Sequence, residues 1–268
     1  MLEHVPEFIL HALKDTWPLL PWILLIYMII GILTAIIMVL WILPAYLKVP
    51  KDYRLDKKFI VKTILRGLVI GFIGAFVLQI IAGSIFVNVF KIPQNSLLYE
   101  FIKAFILFGL IEELMKFSAG SFSLKKSRFQ SKFDYIIIFA LAAFGFTLLE
   151  TTMASSGGLA GIFRAFFPFH IMWQIFMGAH LYEYKVAKMN NDSKTMKKEL
   201  ALAFAAPILM HGGCDFSTTL IGNAATLLQS TMGTLDILSL IIPLIYMAAL
   251  IIFTIITEIR FYKYCKNL

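Results

Sequence analysis

A chain of 268 residues with 60% hydrophobic and only 15% charged side chains lies far from soluble domains, which run at roughly 45–50% apolar and about 25% charged. That balance defines an integral membrane protein and leaves no polar stretch long enough for a separate soluble domain. The net charge of +8 does not mark a nucleic-acid partner, because the basic residues fall in short connections between apolar runs, where membrane topology accounts for them.

In chain order, Met1 to Trp17 carries Glu3, Glu7 and Asp15 against Lys14 alone, the wrong charge for a cleavable signal peptide, so the first span is expected to stay. Val5, Phe8, Ile9 and Ala12 fall on one side of a short amphipathic helix there. Apolar runs then predict seven helices: about Trp17 to Leu47, Phe59 to Phe90, Leu97 to Leu124, Phe133 to Met153, Gly161 to Tyr184, Leu200 to Leu220 and Leu235 to Tyr262. The first two and the last exceed what a spanning helix needs, so tilt, an interfacial extension or kinks at Pro21, Pro44 or Pro243 are expected. Gly67, Gly71 and Gly74 stand at helix-packing spacing and predict close helix contact. Gly157, Gly158 and Gly161 mark the turn between the fourth and fifth helices. Cys214 and Cys265 lie far apart in this topology, which excludes a disulfide framework.

The loops set the orientation. Lys48, Lys51, Arg54, Lys57 and Lys58 crowd the first connection; Lys125, Lys126, Arg128 and Lys132 the third; Lys185, Lys188, Lys194, Lys197 and Lys198 the fifth; and Arg260, Lys263 and Lys266 the tail. The second connection has Lys91, the fourth Arg164, and the sixth Asp236 with no basic residue. A seven-span chain with its N-terminus outside and its C-terminus inside satisfies the positive-inside rule at every crossing. The fold class expected is therefore all-α, a polytopic helical protein forming one transmembrane domain over residues 1–268 in a bacterial or archaeal plasma membrane.

Against that background the ionisable residues inside the spans stand out, since each costs roughly 2.5–3.5 kcal/mol at a helix centre on insertion scales. Glu112, Glu113 and Lys116 share the third helix, with Lys116 four and three residues after the two acids and so on the face of either. One acid is neutralised by this lysine; the other, about 100° round the helix, still needs a partner or a proton. A carboxylate so placed suits a general base that takes a proton from water and returns it. In the sixth helix His211 and Asp215 stand four apart on one face, where Asp215 either accepts the imidazole N–H or serves as a separate group in the same pocket. Gly212 and Gly213 leave space beside the imidazole. Glu150 closes Phe146-Thr147-Leu148-Leu149-Glu150 near the outer end of the fourth helix, and His170 lies on the fifth, with Gln174 one turn on. His180, closer to the basic loop, reads as interfacial. At about 1.5 Å per residue from the cytoplasmic ends, Glu113 lies roughly 16 Å up, His211 roughly 17 Å, His170 about 22 Å, and Glu150 and Asp215 about 24 Å, so four helices place these groups in one layer opening outward.

Glu-Glu-x-x-Lys at Glu112 to Lys116, Phe-x-x-x-Glu at Phe146 to Glu150 and His-x-x-x-Asp at His211 to Asp215, in that order, resemble the PrsW family of intramembrane proteases, relatives of the CAAX-processing and bacteriocin-processing membrane endopeptidases. The stretch from Arg164 to His170 with Gly178 is similar to what the family carries between its second and third motifs. The likeness covers about residues 97–220; spans one, two and seven offer no motif. In CAAX enzymes the second motif ends in His and the third in Asn, so prenyl-protein processing is not expected here. The resemblance implies peptide-bond hydrolysis in or beside the membrane, with Glu112 and Glu113 activating water and His211 essential; some members cut a single-span anti-sigma factor on its outer side.

The catalytic set expected is Glu112, Glu113, His211, Asp215, Glu150 and His170, supported by Lys116 and Phe146. One glutamate takes the proton of a water held between it and His170 or His211, while Lys116 holds the other. A His N–H or a metal stabilises the oxyanion. Glu113, His170 and His211 can make a zinc site with an open position, although the two-His helix of zincins is absent. The partners expected are the lipid bilayer and a membrane protein or peptide substrate. The rival reading is a proton- or metal-coupled transporter using the same groups, but no inverted repeat or paired broken helices are seen.

Overall fold

The structure is a computed structural model that describes residues 20–125, 131–154, 167–227 and 234–268. The amphipathic stretch before Trp17, the glycine turn at Gly157 to Gly161, and Arg164 lie outside them. The described residues form helices joined end to end or by short turns. α1 is Leu20–Tyr46. The second rod runs without a break through α2 (Lys57–Arg66), a π-helical stretch Gly67–Ile73 and α3 (Gly74–Asn88). The third does the same through α4 (Leu97–Ile102), π-helical Lys103–Leu110 and α5 (Ile111–Leu124). α6 (Lys132–Ala154), α7 (Phe169–Met189), α8 (Ser193–Leu227) and α9 (Thr234–Lys266) complete the chain.

Local chemistry sets the ends. Asp56 accepts from the backbone N–H groups of Lys58 and Phe59, and Ser96 from that of Tyr99, starting α2 and α4. α7 begins at Phe169 rather than near Gly161, because Pro168 stands just before it with a non-helical ψ of 60°. α8 begins at Ser193, well before Leu200, because Asp192 accepts from the Thr195 backbone N–H at 3.1 Å and from its hydroxyl at 2.5 Å. Those bonds also hold the Asp192 carboxyl below its ordinary range. Pro44 and Pro243 sit inside α1 and α9, as does Pro207 inside α8. Pro21 stands one residue inside the described part of α1.

α6 is the hub, packing against α7, the Gly67–Ile73 stretch, α5, α2 and α1. Within its apolar window 67% of residues are buried, against 11% for the Lys51–Asn88 helix at the edge. The Gly67 region crosses α6 almost backbone to backbone: a Cβ at Gly67 would collide with the Ala142 carbonyl, and one at Gly145 with that of Ile64. The glycine spacing thus serves helix contact. Gly145→Leu is accordingly expected to lower the thermal unfolding midpoint in detergent sharply, by the 1–3 kcal/mol or more of overpacking. Gly83→Ala, where the nearest atom is a Leu107 methyl at 3.6 Å, should leave the midpoint unchanged.

Polarity is distributed inside out. Ile32, Leu40, Val69, Ile81, Ile242 and Leu244 face outward, whereas Glu112, Glu113, Lys116, His170, His211 and Asp215 are buried. Lys51–Asn88, Lys132–Glu150, Ser193–Ile221 and Ile241–Lys266 are long and apolar enough to cross a bilayer. The rods holding Glu112, Glu113 and Lys116, and His170 with Gln174, are less apolar because they carry the polar cluster. The protein is a helical membrane protein. Cys214 and Cys265 are buried and form no disulfide among the described residues.

Candidate active site

The polar cluster forms where the third rod meets α8. The wide turns of Lys103–Leu110 set Gly109 against the α8 backbone, its Cβ position 2.9 Å from the Ile208 carbonyl oxygen and 3.2 Å from the Gly212 nitrogen. One turn on, Glu112 and Glu113 face His211. The two glycines beside His211 leave no open space, contrary to expectation: the Phe105 ring occupies the Gly212 side and the Tyr246 hydroxyl the Gly213 side. Tyr246 donates to the Leu209 carbonyl at 2.9 Å, fastening α9 to α8 there.

Lys116 is fully buried. Its ammonium lies 2.8 Å from Glu113 Oε1, 2.9 Å from His170 Nδ1 and 3.5 Å from Glu112 Oε2. It also stands 4.2 Å from the centroid of the Phe146 ring, a cation–π contact that gives the phenylalanine of the second motif a role. An ammonium only donates, so His170 Nδ1 accepts and its Nε2–H donates to Glu150 Oε2 at 2.8 Å. Glu150 is thereby joined to the cluster.

The two glutamates differ. Glu113 has both oxygens engaged: Oε1 accepts from Lys116 and from His211 Nδ1 at 2.8 Å, and Oε2 from the Gln174 amide at 2.6 Å. Glu112 Oε1 accepts from the Gln79 amide at 2.9 Å. Its Oε2 is buried and has no hydrogen-bond partner among the described residues. With Nδ1–H committed to Glu113, His211 turns Nε2 towards Asp215 Oδ2 at 3.3 Å and Glu112 Oε2 at 3.6 Å. The imidazole centroids are 4.7 Å apart, and Trp173 packs on both, at 5.1 Å from His170 and 5.2 Å from His211. A cavity of about 10 Å³ lies among Thr147, Glu150, His170, Trp173, His211 and Asp215, room for one water at most.

All six expected catalytic residues, with Lys116 and Phe146, therefore meet in one cluster. His180 is elsewhere, 2.5 Å from Glu199 near the start of α8. Gln79 was not found from sequence, and Gln174 and Trp173 had no role there. The signal for Gln79 was an amide in the otherwise apolar stretch from Gly67 to Ala82.

Glu112, His170 and His211 each place one ligand atom within 4.8 Å of the others. The carboxylate in this group is Glu112; the Glu113 expected also lies close, 2.8 Å from His211 Nδ1 and 4.0 Å from His170 Nδ1, but spends both oxygens on Lys116, His211 and Gln174. The residues fit a divalent cation. Four carboxylates face one lysine and two imidazoles, and His211 Nε2, when it carries no proton, opposes two carboxylate oxygens, a repulsion that a proton or a metal ion between them relieves. His170 would exchange its Lys116 or Glu150 contact for the ion.

A family model described as PrsW family intramembrane metalloprotease matches residues 56–254. The chain belongs to that family, as the three motifs implied, and the match also takes in the second rod with Gln79. It is 29% identical over 145 residues to a protein named Protease PrsW from Oceanobacillus iheyensis, covering 52% of this chain and 65% of the relative. The same-named protein of Halalkalibacterium halodurans is 28% identical over 53% of this chain and 69% of its own length. That of Clostridioides difficile is 33% identical over 48% and 55%. No solved structure matches significantly. The matches favour a protease over a carrier.

Proposed function

We propose that the chain is an intramembrane endopeptidase that hydrolyses a peptide bond of a membrane-associated protein. The substrate class is a single-span, anti-sigma-factor-like protein cut towards its outer side. Seven helices cross the cell membrane with the N-terminus outside and the C-terminus inside, residues 1–268 form one transmembrane domain, and about 97–220 make its catalytic core. The observation that carries this reading is Glu112 Oε2, a buried carboxylate oxygen that accepts no hydrogen bond among the described residues and lies 3.6 Å from His211 Nε2, whose ring also lines a cavity for one water.

Water that passes from that cavity round His211 gives a proton to Glu112 Oε2 as its oxygen attacks the scissile carbonyl carbon. The same carboxyl then returns the proton to the leaving amine nitrogen as the C–N bond breaks. Glu113 and Asp215 hold the His211 ring in place, and Glu150 and Lys116 hold that of His170. Trp173, whose indole N–H is buried without a hydrogen-bond partner among the described residues, lines the same cavity and offers a donor for the oxyanion. A zinc ion, which two imidazoles and a carboxylate suit, would be held by Glu112, His170 and His211 and would supply Lewis acidity towards the water or the carbonyl. Glu112 Oε2 serves one role at a time, proton acceptor or ligand.

Protein purified without chelator is expected to carry close to one zinc per chain, falling when His170 and His211 are both replaced by Ala, and to cleave a single-span test substrate in proteoliposomes. Cleavage by metal-free protein would assign Glu112 to the proton alone. Ion flux without any proteolysis would overturn the reading in favour of a carrier.

A further inference from the structure

The cavity among the imidazoles is too small for a peptide, so substrate must reach Glu112 from another side. A cleft of about 450 Å³ lies between α3 and the third rod, lined by Gln79, Ser84, Asn88, Gln94, Tyr99 and Lys103 among apolar side chains. Gln79 is its inner end, because the amide that lines the cleft also donates to Glu112 Oε1 at 2.9 Å. Ser84 and Asn88, four apart on one helix face, are bonded to each other at 2.9 Å. The side chains that α3 turns outward away from the cleft, Val77, Leu78, Ile81 and Ile85, are apolar. Polar groups thus stand at the two margins of the cleft, Gln79 about 140° and 180° round the helix from Ser84 and Asn88, with Phe76, Ile80, Gly83 and Val87 between them and Gln94 at the loop end.

We infer that this cleft binds the substrate's backbone in extended form and delivers the scissile bond to Glu112, an inference that rests on the protease reading. A spanning helix cannot be cut until it is unwound, and unwinding strips its backbone N–H and C=O groups of partners where lipid offers none. Amides and hydroxyls in the wall replace them. The lining suits a neutral backbone rather than a phosphate headgroup, because Lys103, its single cation, is paired with Glu100 at 2.6 Å. A groove of about 230 Å³ lined by Val39, Ile42, Ile60, Ile64 and Leu141 shows the contrast: it offers nothing polar and suits acyl chains. From Gln79 to Asn88 the helix rises about 13 Å, the length of about four extended residues. The substrate class is therefore a span whose outer end unwinds readily over some four residues, through Gly, Ser, Asn or Pro.

Paired Asn88→Leu and Gln94→Leu changes are expected to raise KM about tenfold with kcat near that of the parent, the signature of lost uniform binding. In His211→Ala protein, which holds substrate without cutting it, a cysteine at Asn88 should crosslink to single-cysteine substrates near the scissile bond. A cysteine at the lipid-facing Ile245, 64% exposed on α9, should not. An unchanged KM, or equal crosslinking at both positions, overturns the cleft. Crosslinking at Asn88 by a parent protein that cleaves nothing supports the cleft as a peptide site and removes only the hydrolase reading.

Discussion

Glu112→Gln is expected to lower kcat on a single-span substrate by at least about a thousandfold, within the range of general acid–base contributions, while the protein stays folded and monodisperse. The amide keeps the size of the side chain and its bond from Gln79, and removes only the oxygen that accepts no hydrogen bond among the described residues. Glu113→Gln should behave differently. Its oxygens hold Lys116, His211 and Gln174, so its loss should lower the yield of folded protein together with activity. Measuring kcat beside the thermal midpoint for both variants separates the roles; equal loss of stability in the two would remove the distinction.

Lys116→Met is expected to be the most destabilising single change in the cluster. Removing one partner of a buried ion pair leaves the other charge uncompensated, at a cost of about 3–5 kcal/mol. Here Glu113, Glu112 and the His170 nitrogen all lose the same donor. Adding Glu113→Gln to Lys116→Met should restore part of the midpoint, because the stranded carboxylate is gone. A double variant no more stable than the single one would show that the lysine acts chiefly through packing on Phe146.

Helices, and the layer in which the acids and imidazoles meet, were legible because lipid penalises charge so strongly that each intramembrane Glu, His or Lys is informative by itself. The pairing of Lys116 with an acid followed from helical spacing, and Asp215 beside His211 likewise. Which glutamate keeps an oxygen that accepts no hydrogen bond among the described residues was not legible. Glu112 and Glu113 have identical chemistry, and only the neighbours brought by α7 and α8, Gln174 and His211, distinguish them. Gln79 escaped for a related reason: a neutral amide costs far less than a charge, so one among apolar residues does not announce a role. The starts of α7 and α8 were missed because apolar periodicity says nothing of Pro168 or of Asp192 capping a polar first turn.

Peptide bonds are not the weakest target near this protein. The acyl esters of the surrounding phospholipids are more easily hydrolysed than any amide, and they are present at far higher concentration. A permanently flooded centre would present activated water to every lipid that brushed past it. The space beside His211 and Trp173, about 10 Å³, admits a single molecule of water at most. In the protease proposed above, water beside the imidazoles is thereby limited to one molecule at a time among packed rings, which would leave the esters around it intact.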